Sequence, residues 1–105
     1  MEISSSNRPF PEEPTYKQDF DRSVELFEKS FKNLDHSTIE PQKKMYLKVM
    51  QESLSIMQES ASAMLNQHLS GMKSQLEKDL TAYLEHPDAT HKEAILQDIQ
   101  KIKSS

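Results

Sequence analysis

The sequence predicts an all-α protein, and three observations predict it. A single glycine in 105 residues, with proline confined to positions 9, 11, 14, 41 and 87, leaves almost none of the turn residues that a multistranded sheet requires. Apolar residues recur at steps of three and four through most of the chain, the period of a helix with one buried face. A seven-residue unit is also repeated in tandem: Gln51-Glu52-Ser53-Leu54-Ser55-Ile56-Met57 is followed by Gln58-Glu59-Ser60-Ala61-Ser62-Ala63-Met64, and only Leu54 and Ile56 change, both to alanine. With Met50 ahead of the repeat, methionine returns every two helical turns and stays on one side.

Residues 1–14 combine Ser4, Ser5, Ser6 and Asn7 with three prolines, a composition that forms neither a helix nor a core, and they read as a flexible N-terminal tail. Phe10, between Pro9 and Pro11, reads as an inert leader residue or a small docking handle. The first helix is placed at about residues 15–34. Thr15 and Gln18 have the spacing of a capping box, and Tyr16, Phe20, Val24, Phe27, Phe31 and Leu34 follow as one apolar stripe. An aromatic stripe at this spacing reads as core.

Asp35-His36-Ser37 makes the turn, and Ser37 with Glu40 supplies a second capping box, in which Pro41 is tolerated because first-turn amides have no intrahelical acceptor. From Thr38 to Glu85 no strong stop signal appears, so one long helix is expected over 38–85. Its stripe runs through Leu47, Met50, Leu54, Met57, Ala61 and Met64, and then shifts around the helix to Leu65, Leu69, Met72, Leu76, Leu80 and Tyr83, as at a stutter. Pro87 ends it by disfavouring helical geometry at His86. Thr90 with Glu93 then opens a short helix over 90–103, lined by Ile95, Leu96, Ile99 and Ile102. The expected architecture is three helices forming antiparallel hairpins on one long central helix with coiled-coil-like packing, a single domain over 15–105.

Length locates a contact surface. A helix of about 47 residues spans roughly 70 Å, and partners of roughly 30 and 20 Å leave about a third of it uncovered, near Glu59 to Gly71. That stretch is poor in charge and rich in small residues and methionine, which suit a close helix contact. Ser60, Ala61, Ala63, Met64, Gln67, His68 and Gly71 are therefore the expected partner-binding residues, facing a second copy of the chain or a client helix. A rival architecture breaks the long helix at Ser70-Gly71 and folds its halves into a four-helix bundle, because glycine costs a helix interior roughly 1 kcal/mol relative to alanine.

Composition narrows the function. At this length one modest core is expected and no large enclosed active site. Leu, Ile, Val and Phe make up about 21% of the chain, only just above the level of roughly 20% below which disorder sets in. No cysteine is present, so disulfides, thiolate metal sites and cysteine nucleophiles are excluded. The formal net charge is −4, and without a basic stripe nucleic acid and anionic membranes are disfavoured partners. The chain shows neither a signal-peptide pattern nor an apolar run long enough for a membrane span, and the cytoplasm is the expected compartment.

There is no nucleophile elbow, phosphate loop or Glu-x-x-His pairing, so no enzymatic activity and no cofactor are expected. Glu52 and Glu59 lie on the polar arc and read as a solvated face. Met64, His68 and Met72, four residues apart, could set two thioethers and an imidazole on one face, a soft set suited to Cu(I); the favoured reading is a core stripe edged by a histidine, because methionine also recurs at 50 and 57, where no ligand partner exists. His86, Asp88 and His91 read as loop residues. The function predicted is that of a small helical protein–protein interaction protein, an adaptor, chaperone or assembly component, with Cu(I) binding as the alternative. Short helical hairpins occur among secretion-system chaperones and small assembly proteins, an analogy of architecture that transfers no residues.

Overall fold

A computed structural model describes residues 12–105, with side chains from Tyr16 onward. The expectations for the tail before Glu12, including Phe10, lie outside the described residues. Four helices follow one another: α1 Glu12–His36, α2 Glu40–Ala63, α3 Gln67–Glu85 and α4 Ala89–Lys103. Among the described residues there is no strand, and no helix is long and apolar enough to cross a membrane.

The all-α class is as expected, but the helices number four rather than three. The stretch expected as one helix over 38–85 is two, broken at Met64-Leu65-Asn66. A straight helix would leave the stripe of Leu69, Leu76, Leu80 and Tyr83 without cover. Folded back, all four are buried in one core with Phe20, Phe27, Phe31, Met50 and Met57. Burying side chains of this size is worth about 1.5–3 kcal/mol each. The break puts one residue in left-handed geometry at about 1–2 kcal/mol, so the folded-back arrangement wins.

Each helix neighbours the next, and α4 returns beside α1. At one end, the Tyr83 hydroxyl donates to Asp35 at 2.6 Å and Lys92 pairs with the same carboxylate at 2.8 Å, which ties the C-terminus of α3 and the N-terminus of α4 to the C-terminus of α1. Toward the other end, Ser70 of α3 donates to Gln58 of α2 at 3.3 Å. The helices therefore run alternately up and down.

Caps explain the boundaries. Asp88 caps α4 by accepting from the His91 amide at 2.9 Å, so Thr90, expected as the cap, lies inside the helix. α1 begins at Glu12, which leaves Thr15 in its first turn, again inside rather than at the cap. Ile39 occupies the cap position of α2 without a side-chain hydrogen bond, and Pro41 sits in the first turn as expected. Before Pro87, α3 ends at Glu85.

The α1/α2 pair is built on small residues as well as large ones. Ser23 and Ser30 on α1, and Ser53 and Ser60 on α2, are buried among the apolar side chains, each pair seven residues apart. Small side chains let two helices approach closely. The hydroxyls of Ser23 and Ser53 donate to carbonyls of their own helices, Asp19 and Val49, both at 2.8 Å, so their burial leaves no unmet donor.

Candidate functional site

The turn from α2 to α3 is the least ordinary backbone among the described residues. Leu65 has φ 55°, left-handed geometry that glycine or asparagine normally supplies. The Leu65 amide donates to the Ser62 carbonyl at 3.0 Å and the Asn66 amide to the Ala61 carbonyl at 2.9 Å, the paired bonds of a Schellman ending with leucine where glycine is usual. Asn66 then starts α3, its side-chain oxygen accepting from the Leu69 amide at 3.0 Å. Leu65 itself is 88% exposed, whereas the other large exposed apolar residues lie between 41 and 54%.

Two surface depressions flank this turn. A hollow on the α2 side is bordered by Ala61, Ser62, Leu65, Asn66, Gln67 and Ser70. On the α4 side a groove of about 390 Å³ is formed by Gln67, His68 and Gly71 with Met72, Gln75, Asp98 and Lys101. Gln67 borders both, at the start of α3.

The residues expected to meet a partner are divided by the fold. Gln67, His68 and Gly71 are exposed and line the groove together. Ala63 is exposed on the last turn of α2, and Met64 is half-buried against the core. Ser60 and Ala61 are buried inside the chain's own core, so they are not open to a partner as expected: the chain folds back after Ala63 instead of leaving this stretch on an uncovered helix. Gly71, the position suspected of breaking the helix, is an ordinary residue of α3, and a Cβ added there would meet nothing within 4 Å.

The Met64, His68 and Met72 set depended on a continuous helix through all three. The break at 64–66 separates Met64 from the other two, and only His68 and Met72 share the groove. Among the described residues no group of three or more His, Asp or Glu side chains is placed to hold a metal ion. His91 is instead tied to the cap of α4, its Nδ1 at 2.6 Å from Asp88, and its ring stacks on His86 at 6.1 Å. The bonds from the His91 amide and ring hold the Asp88 carboxyl below its ordinary range.

One acid lies where an apolar residue is the rule. Asp98 is 8% exposed between Ile95 and Ile99 on the inner side of α4, and its Oδ2 is buried without a hydrogen-bond partner. Burial, then a hydrogen bond and charge shared with Asp79 of α3, push its pKa up to about 7, while Lys101 opposes the shift. Asp79 is also held by Gln75, whose Nε2 lies 3.3 Å from both carboxylate oxygens. The other shifted carboxylates of the bundle are conventional: at the N-terminal end of α4, Lys92 first, then Tyr83, hold Asp35 below its ordinary value, and at its C-terminal end Lys103 does the same for Glu28. Burial raises the Tyr83 phenol.

Of the residues expected at a contact, Gln67, His68 and Gly71 are the ones that line the groove, while Leu65, Asn66 and Asp98 were not among those expected. Asn66 carried a usable signal, since asparagine three residues before Leu69 has cap spacing. Asp98 carried another, because it shares a face with Ile95, Ile99 and Ile102. Compared with protein-family models, curated proteins and solved structures, the chain matches none.

Proposed function

We propose that the chain is a protein-interaction module, an adaptor, chaperone or assembly component, that engages another protein through the α2–α3 end of its bundle. The carrying observation is Leu65. Its side chain stands almost fully in water on a backbone that costs leucine about 1–2 kcal/mol and glycine almost nothing. The folded-back core repays the backbone strain but does not use the side chain, and a large apolar group kept in water where glycine would turn the chain at less cost is a group available for contact. The hollow beside it lets a partner's side chains seat around the leucine.

This reading replaces a contact along an open central helix, which the fold leaves no room for at Ser60 and Ala61. Its test is Leu65→Gly, followed by a denaturant melt and by light scattering at rising concentration, alone and with any client captured by a photoreactive leucine at position 65. The variant should be more stable by about 1 kcal/mol, since it relieves the left-handed strain, and should lose association. A less stable variant would make Leu65 structural. Unchanged association would move the contact elsewhere.

A further inference from the structure

We propose that the groove between α3 and α4 receives the guanidinium of an arginine side chain, held between the Asp98 and Asp79 carboxylates. The groove deepens the protein-contact reading above and rests on it only for the source of the arginine. About 12 Å of helix separates Gln67, at the α2–α3 end, from Gln75, so a partner seated on Leu65 reaches it.

Four features point to that group. Asp98 is more than nine-tenths buried and lines the groove, and its Oδ2 has no hydrogen-bond partner among the described residues, a costly arrangement. A second acid, Asp79, stands against Asp98 from the facing helix, held by Gln75, so once Asp98 ionises two carboxylates on two elements meet at the inner edge of the groove, an arrangement that a planar fork of donors would satisfy. Gln75, whose Nε2 is turned to Asp79, leaves its amide oxygen for a remaining N–H group, and Met72 with the bare Gly71 leaves apolar width for a flat group. The volume of about 390 Å³ suits one side chain rather than a large cofactor.

The charged groups facing Asp98 are Asp79 and His68 from α3 and Lys101 from α4. Lys101 makes no ion pair among the described residues, so it competes for the groove without filling it. With about 7 as the midpoint of Asp98, a cation bound there draws the carboxyl into its ionised form and releases a proton to solvent. Affinity should then rise about tenfold between pH 6 and pH 8.

The test titrates the full chain with N-acetyl-arginine amide, its lysine counterpart and its alanine counterpart, read by amide chemical shifts of α3 and α4. Saturable shifts are expected with the arginine probe, several-fold weaker ones with lysine and none with alanine. Asp98→Asn, which keeps shape and a donor toward Asp79, should weaken arginine binding at least tenfold. Gly71→Leu, which fills the open wall, should do the same in a chain whose carboxylates are untouched. Equal binding of arginine and lysine, binding unchanged by both variants, or no saturable shift because Lys101 occupies the site, would each overturn the proposal. Because none of these readouts depends on Leu65, failure here leaves the contact at the α2–α3 end standing or falling by its own test.

Discussion

The two helix pairs of this bundle solve the same packing problem with opposite results. Between α1 and α2, buried Ser23, Ser30, Ser53 and Ser60 alternate with Phe20, Phe27, Phe31, Met50 and Met57, the hydroxyls of Ser23 and Ser53 bond back to their own helices, and among the described residues no fully buried polar side-chain atom of the seam is left without a partner. Between α3 and α4, Leu76, Leu80, Ile95, Ile99 and Ile102 make an apolar seam that is interrupted by Asp98 and opens into a groove. A hydroxyl that bonds to its own helix can be buried at little cost, whereas a carboxyl with a free oxygen cannot. The first pair is therefore a closed seam, and the second carries an unmet polar atom, which is where the proposed arginine would bind.

The strongest challenge to this contrast is Ala61→Glu. Ala61 has no exposed surface in the α1/α2 seam, and a carboxylate there would be buried without a partner. We expect loss of about 3–5 kcal/mol, enough to unfold a domain of marginal stability, visible as lost helical ellipticity and a collapsed denaturant midpoint. An intact fold after this change would mean that the seam is open and that Ala61 faces a partner after all.

The α3/α4 pair should betray itself through pH. Asp98 is raised in the folded chain to about 7 from an ordinary 3.8, so between those values the folded state binds the proton and the unfolded state does not. Its contribution is thus fully present below about pH 4 and is lost as pH rises to about 7, a decline of about 1–3 kcal/mol. Asp98→Asn should flatten that part of the stability profile. Glu28 and Asp35 act in the opposite sense and in another window: lowered by Lys103 and Lys92, they contribute above the ordinary carboxylate range and lose that contribution as pH falls below it. A profile that rises between pH 4 and 7, or one unchanged in Asp98→Asn, would place Asp98 in water.

The smallest effect sharpens where the chain turns. Gly71→Ala should stabilise the protein by about 0.5–1 kcal/mol, because the position is mid-turn in α3 and the added methyl meets nothing. A destabilised variant would mean that the chain bends at Gly71 rather than at Leu65, and the geometry drawn for the groove would fall with it.

The sequence by itself determined the helical class, the α1 stripe from Phe20 to Leu34, the burial of Met50, Leu54 and Met57, the end of α3 before Pro87 and the inner face of α4. Each of these follows from local signals, the spacing of apolar residues and a proline, that act within a few residues of where they are written. Gln67, His68 and Gly71 were likewise readable as an uncharged surface stretch. The break at Leu65 was not, since Ala63, Met64 and Leu65 are all good helix formers and only Asn66 hints at a start. Tertiary structure decided it: burying Leu69, Leu76, Leu80 and Tyr83 against α1 and α2 outweighs one strained leucine, and that sum includes residues twenty or more positions away. The same long-range packing buried Ser60 and Ala61, brought Asp98 against Asp79, and left the groove between them, none of which a linear pattern can express.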